Sequence, residues 1–332
     1  MAEKNFAISV IVPMFNAENF IGECLTSLAN QTFQNFEVII VDDCSTDNSL
    51  NVALTFSKVF GDRLRLAKLS ANSGCPGVPR NFALEAARGE YIFFLDSDDF
   101  LAETALENFF TVAKNFDADV VHADWFITAQ NFGGKFEFKQ QSFQAGNFVD
   151  EPTLETFDIG ERVTGFIQKK FLWWACNKLF RRKLLTENKI TFPAIKIFED
   201  FVFSFECLVA AKNYVRVPFA NYCYRLRENS VSQKILDAIG QTETLIGLVG
   251  ALDRFMNTQK FFSDDPKYRY ALLDFFMQER IEVLAERFFV KQNFSPAEVF
   301  EIFREKIFSE ESAALTAYLF VASLNSKLEV EN

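Results

Sequence analysis

An α/β fold, a mostly parallel sheet flanked by helices and followed by a helical C-terminal region, is predicted by three observations. Over the first hundred residues, short apolar runs alternate with segments of helical spacing, and repeated β-α-β units imply a parallel sheet covered by helices. The strand-like run from Gly89 to Leu95 leads directly into Asp96-Ser97-Asp98-Asp99, three carboxylates within four positions. From about Ser232 to Lys327 the chain is poor in Gly and Pro and keeps helical periodicity. The expected division is 1–231 for the sheet domain and 232–332 for the helical region.

Taken in order, Ile8 to Val12 is a near-continuous apolar run, as a strand buried on both faces requires, and Pro13 is expected to end it. Phe20 to Leu28 has helical spacing, and Phe36 to Val41 is a second strand ending at Asp42-Asp43. Ser45 or Asp47 can start the next helix. Leu64 to Leu69 reads as a short strand. Arg80 to Arg88 reads as a helix closed by Gly89, and Tyr91 to Leu95 as the fourth strand. Beyond residue 100, Leu106 to Phe116 and Phe198 to Lys212 are helical, and Val120 to His122, Trp125 to Thr128 and Val215 to Tyr224 are extended. Asn131 to Phe148 is expected to form a hairpin or flap. The stripe Leu273, Met277, Ile281, Leu284, Phe288 repeats every three or four residues and marks a late helix.

The chain has 332 residues, enough for one large or two ordinary domains. No apolar run approaches the ~18 residues of a membrane span, and Met1 to Ala7 lacks a signal-peptide layout. Six cysteines without a Cys-x-x-Cys pair read as reduced thiols in a cytoplasmic protein. With a single histidine, His122, a structural zinc site is excluded and His122 itself reads as structural. A net charge of −11 argues against nucleic acid as a partner. The 42 phenylalanines favour a Phe-heavy core over a hydrophobic docking surface. The pairs Phe275-Phe276 and Phe288-Phe289 nonetheless suggest that the C-terminal helices dock, either peripherally on a membrane or in a homo-oligomer. Because the stretch is not basic, packing against protein is the favoured of the two.

In open α/β sheets ligands bind outside the carboxyl ends of the strands. Three such ends are decorated here: Pro13-Met14-Phe15-Asn16, Asp42-Asp43-Cys44-Ser45-Thr46-Asp47 and Asp96 to Asp99. No glycine precedes Gly22, so a dinucleotide fingerprint after the first strand is missing; a P-loop and the Gly-rich loop of a nucleotidyltransferase are missing too. Clustered carboxylates at a buried strand end are costly without a cation, and a divalent metal carrying a phosphorylated ligand is the candidate. The plain alternative is that Asp99 caps a helix starting near Leu101.

These segments, with Asn72-Ser73-Gly74, Arg80-Asn81, Trp174 to Phe180, Phe198-Glu199-Asp200 and Tyr224 to Ser232, resemble the family-2 glycosyltransferases, whose Rossmann-like GT-A fold serves bacterial capsule and lipopolysaccharide synthesis. The resemblance covers about residues 6 to 230. It implies a metal-dependent, inverting hexosyl- or N-acetylhexosaminyltransferase that uses a UDP-sugar and a glycan or glycolipid acceptor at the inner face of the cytoplasmic membrane. Pro13, Phe15 and Asn16 would line the base and Asp43 would accept from uracil N3–H, with an Asx-type turn as its structural alternative. Asn72, Arg80, Asp96, Ser97 and Arg227 would lie along the nucleotide-sugar, and Asp98 would ligate Mn²⁺ or Mg²⁺. Arg80 could equally be a solvated helix arginine. Relatives carry a histidine where Arg227 stands, so Arg227 would contact phosphate instead of metal. Asp200 would be the general base, with Glu199 beside it, although both also suit a helix N-terminus. Trp173, Trp174 and Lys178 would bind the acceptor, unless a tryptophan belongs to the core. The rival reading is a catalytically inactive sugar-nucleotide-binding or scaffold protein.

Overall fold

The computed structural model describes residues 5–132, 135–142, 148–226, 238–286, 293, 295–307 and 312–330. The strands are β1 (Ile8–Met14), β2 (Phe36–Asp42), β3 (Leu64–Lys68), β4 (Tyr91–Phe94), β5 (Phe100–Leu101) and β6 (Val120–Ala123), then β7 (Phe126–Phe132), β8 (Lys135–Gln141), β9 (Thr153–Leu154), β10 (Lys178–Arg181), β11 (Tyr214–Val217) and β12 (Tyr222–Leu226). The helices between the strands are α1 (Ile21–Ala29), α2 (Ser49–Thr55), α3 (Ser57–Phe60), α4 (Gly77–Ala86), α5 (Ala105–Asn115), α6 (Ile159–Ile167), α7 (Arg182–Glu187) and α8 (Glu199–Ala210). After β12 come α9 (Ala238–Thr258), α10 (Lys260–Asp264), α11 (Lys267–Ala285), α12 (Pro296–Ile307) and α13 (Ala313–Val330).

Among the described residues the main sheet runs β3-β2-β1-β4-β10-β6-β11-β9, and a smaller one runs β5-β12-β7-β8. β3, β2, β1 and β4 are mutually parallel, so their carboxyl ends share one edge. β10 enters antiparallel between β4 and β6. Alternate side chains feed two cores: Ile11, Ile39, Val41, Ile92 and Phe94 point to one, while Val10, Val38, Ile40, Tyr91 and Phe93 point to the other. The first core continues through Phe201 and Phe205 of α8 to Leu245, Leu252 and Phe276 of the C-terminal helices.

β1 runs two residues past its expected end. Pro13 pairs in register with Val41 on one side, and on the other β4 has already stopped beyond Ile11, so the missing N–H has no ladder to break. α4 starts earlier than expected, at Gly77, and closes at Ala86, so Gly89 is not its cap. A Cβ on Gly89 would lie 2.4 Å from the Ser9 nitrogen, and the chain therefore needs glycine where β4 enters beside β1. The expected hairpin exists as β7–β8, starting earlier than the sequence suggested. Phe276 and Phe262 are core residues and Phe275 packs on that core, which withdraws the 275–276 pair from any docking surface. Phe288-Phe289 lies outside the described residues. His122 is buried against the Tyr214 hydroxyl, and burial lowers its pKa well below the usual value. All six cysteines are free thiols. Among the described residues no helix is long and apolar enough to cross a membrane.

Candidate active site

The carboxyl ends of β1 and β2 carry two loops stitched to one another. The Asn16 N–H donates to Ser45 Oγ at 3.0 Å, Asn16 Oδ1 accepts from Thr46 N–H at 2.9 Å, and Ala17 N–H donates to Ser49 Oγ at 2.7 Å. Asn16 adopts φ 47° to make these contacts, and Phe15 is left 47% exposed at the rim. Asp43 is buried, and its two carboxylate oxygens accept from the Ser73 N–H and hydroxyl, both at 2.8 Å. The Asn72 amide donates to the Asp43 carbonyl at 3.1 Å, and its Oδ1 takes the N–H of Gly74, which sits at φ 76°. Asn16, Asp43 and Asn72 are thus tied together across the ends of β1 and β2, with Pro13 at the end of β1 and Phe15 exposed beside them. Ser73, which fixes the Asp43 carboxylate, was invisible as such in the sequence.

The carboxylates after β4 separate into different environments. Asp99 caps no helix: Phe100–Leu101 is a strand, and α5 begins only at Ala105. Its carboxylate accepts from Tyr222 Oη at 2.6 Å and from Arg225 N–H at 2.8 Å. Burial, then repulsion from Asp98 and Asp96, pushes the Asp99 carboxyl well above the usual range. The Arg225 guanidinium donates to the Asp98 carbonyl at 2.8 Å and to Glu23 at 2.6 Å, and it stacks on Phe20, Phe100 and Phe136. Arg225 therefore fixes the backbone of the expected metal ligand. Arg225 belongs to the same Tyr-Arg segment as Arg227, the residue expected to contact phosphate, which lies outside the described residues. Ser97 is buried between Asp96 and Asp98, both half-buried.

Arg80 is no solvated helix residue. At 2% exposure its guanidinium binds Asp96 at 2.8 Å, Glu199 at 3.0 Å and Asp200 at 2.6 Å, with its face on Phe192. One cation thereby joins the end of β4 to the start of α8. Asp200 also accepts from the Ala175 N–H at 3.1 Å. Burial raises the Asp200 carboxyl above its ordinary value, Arg80 opposing, and raises Glu199 to about 8, with repulsion from Asp200 adding to it. Both carboxylates begin α8, whose preceding residue Phe198 sits at φ 71°, a strained value for a bulky side chain.

The acceptor-side expectations divide. Trp174 packs on Phe126 and Tyr224 at 5.0 and 5.4 Å. Trp173, half-buried, lines a cavity with Phe198. Lys178 is 1% exposed; its ammonium donates to the carbonyls of Leu172 and Trp174, and burial lowers its pKa to about 8. It cannot reach an acceptor from there and instead shapes the loop that carries both tryptophans.

Among the described residues no group of three or more His, Cys, Asp or Glu could hold a metal by itself. The charge balance nevertheless fits a divalent ion shared with a ligand. Asp96 and Asp98 both raise the pKa of the inward-turned Asp99, so negative charge is concentrated at this strand end, and of the three Asp99 is already engaged by Tyr222 and Arg225. Asp96 gives one oxygen to Arg80. A cation there would be held by Asp98 and complete its shell from a diphosphate.

The family described as Glycosyl transferase family 2 matches residues 9–187, more than half of the chain, and the protein belongs to that family. Among curated proteins it is 33% identical over 256 residues to a poly(ribitol-phosphate) beta-glucosyltransferase of Bacillus spizizenii, covering 74% of this chain and 37% of that one. It is 34% identical over 206 residues to the poly(ribitol-phosphate) beta-N-acetylglucosaminyltransferase TarS of Staphylococcus aureus, covering 61% of this chain and 32% of that one. The chain thus spans only about a third of the length of these two relatives. A crystal structure of S. aureus TarS 1-349 with UDP-GlcNAc superposes with TM-score 0.68 at 25% identity, covering 90% of this chain and 79% of that one. The fold is the expected GT-A arrangement.

Proposed function

We propose that the chain transfers a hexosyl or N-acetylhexosaminyl group from a UDP-sugar to a hydroxyl of a bacterial surface glycan, with inversion at the anomeric carbon. One observation carries the reading: Arg80 ties Asp96, at the donor edge of the sheet, to Asp200, a buried carboxylate held by a single backbone N–H besides that arginine. A buried carboxylate with a raised pKa, linked through Arg80 to the strand end where the diphosphate would lie, suits proton removal from an attacking hydroxyl. The hydroxyl oxygen forms its bond to the anomeric carbon as the bond to the diphosphate oxygen breaks, and Asp200 takes the proton. The floor made by Asp43, Asn72 and Asn16 would hold the uridine. A divalent ion on Asp98 would stabilise negative charge on the leaving diphosphate.

Support for UDP comes from the TarS complex with UDP-GlcNAc. The beta linkages named for the curated relatives are what a single displacement on an α-linked donor gives. Those names widen the acceptor class beyond lipopolysaccharide and capsule to other surface polymers. The proposed setting is the cytoplasm, at the inner membrane face. The test is a donor screen across UDP-, GDP- and CMP-sugars with product mass spectrometry. A UDP-sugar product, or slow UDP-sugar hydrolysis, is expected; binding of UDP-sugars with no turnover under any condition would leave the scaffold reading.

A further inference from the structure

A cavity of about 350 Å³ opens between the loop carrying Trp173, the start of α8 and helix α11, lined by Trp173, Phe198, Phe201, Phe276, Lys169 and Arg280 among others. Glu199 and Asp200 are not among its lining residues, but Phe198, immediately before them, and Phe201, in the same first turn of α8, form part of its wall. Arg280 stands out among its lining residues. Its guanidinium stacks on Phe198 at 4.2 Å, its Nε is buried without a hydrogen-bond partner, and no carboxylate among the described residues forms an ion pair with it. The neighbouring Glu279 is engaged by Lys169 at 2.9 Å. Burial lowers the Arg280 pKa from its usual value, with the nearby Glu279 carboxylate opposing, so the guanidinium sits there at a cost only partly offset. Phe198 is held in its strained conformation by Trp173, Phe276 and Arg280, and such strain collects at ligand sites.

An aromatic wall that carries two cations, Arg280 and Lys169, against the single carboxylate of Glu279 is not a surface for a neutral apolar ligand. A sugar or polyol ring packs its C–H faces on aromatic rings, and a guanidinium fork matches an oxyanion. We infer that this cavity is an acceptor subsite, and that the acceptor carries an oxyanion (phosphate or carboxylate) bound by Arg280 while its hydroxyl reaches Asp200. This inference rests on the transferase reading. It also gives the C-terminal helices a direct part in substrate choice.

The experiment uses the full chain and three probes of similar size: glycerol 1-phosphate, glycerate and glycerol, followed by tryptophan fluorescence and calorimetry. UDP is titrated in parallel. Glycerol 1-phosphate or glycerate should bind at least about tenfold more tightly than glycerol, and Arg280→Gln should remove that preference. Arg280→Lys should restore part of it, and circular dichroism confirms that each variant is folded. Equal binding of charged and neutral probes, or an oxyanion preference that survives Arg280→Gln in a folded protein, overturns the subsite. Binding to vesicles of phosphatidylglycerol with none to the soluble probes overturns it in favour of a lipid surface. Failure of UDP to bind would instead strike the transferase reading, so the two failures are distinguishable.

Discussion

Replacing Arg80 by Met removes a cation shared by Asp96, Glu199 and Asp200, whose oxygens lie 2.8, 3.0 and 2.6 Å from it. At an effective dielectric near 20, one pair of unit charges about 4 Å apart is worth about 4 kcal/mol. Stranding a buried charge costs about 3–5 kcal/mol once the site relaxes. For a chain of 332 residues that corresponds to a Tm loss of roughly 4–7 °C. Part of the cost is avoidable by protonation. Burial already raises Glu199 to about 8, and Arg80 is the first influence opposing the rise at Asp200. Without Arg80 the carboxyl pKa values climb further above those of the unfolded chain. The added stability from bound protons is present at low pH and lost as pH rises, so the Tm deficit should be smaller at pH 5 than at pH 8. A protonated Asp200 cannot act as base. The acid limb of the kcat profile should therefore move up by about one pH unit or more, and transfer at pH 7 should fall at least about 100-fold. The assay is UDP release from pH 5.5 to 9.5, with UDP affinity measured alongside, and Arg80→Lys serves as a second variant that keeps a charge. If UDP affinity collapses while the pH limb stays in place, Arg80 serves the diphosphate directly and the argument fails. A folded variant with near-normal kcat refutes it outright.

Asp200→Asn keeps the size and loses the basicity, so transfer should fall about 100-fold or more with UDP binding retained; near-normal turnover, or a product whose anomeric coupling by NMR shows retention, would sink the assignment. Asp98→Asn should weaken UDP binding in Mn²⁺ by about tenfold and leave metal-free binding unchanged; equal UDP affinity with and without metal in the parent protein removes the metal from the site. Glu206 on α8 is raised to about 8 by burial, with Arg254 opposing. Its folded pKa exceeds the unfolded one, so its stability contribution is present below the usual glutamate range and is lost as pH rises toward about 8. Glu206→Gln should therefore raise Tm at pH 9 by about 2 °C or more and change it little at pH 4; an equal shift at both values disproves the linkage.

Three of the four parallel strands were legible because a strand buried on both faces is nearly continuously apolar, and Ile8 to Val12, Phe36 to Val41 and Tyr91 to Leu95 satisfy that locally, whereas the half-buried β3 was read only as a short strand. The decorated strand ends were legible for the related reason that polar residues directly after such runs fall on one edge. Partner choice was not. Asp96, Asp98 and Asp99 look alike in sequence, yet Asp99 turns inward to Tyr222 and Arg225 while Asp96 meets Arg80. Tyr222 and Arg225 lie more than a hundred residues downstream of Asp99, so no spacing rule could connect them. Lys178 was misplaced by the same blindness: a lysine beside two tryptophans reads as a sugar contact, but the Leu172 and Trp174 carbonyls needed a donor inside the fold. Arg80 shows why these errors fall at the site. Four charges from three distant segments are tolerable when buried only if they meet, and their meeting is a property of the closed fold. The C-terminal helices join that closure through Phe276 and Arg280 against Phe198. The residue that enters α8 and fixes where Glu199 and Asp200 stand is therefore clamped from a helix that carries none of the recognised motifs.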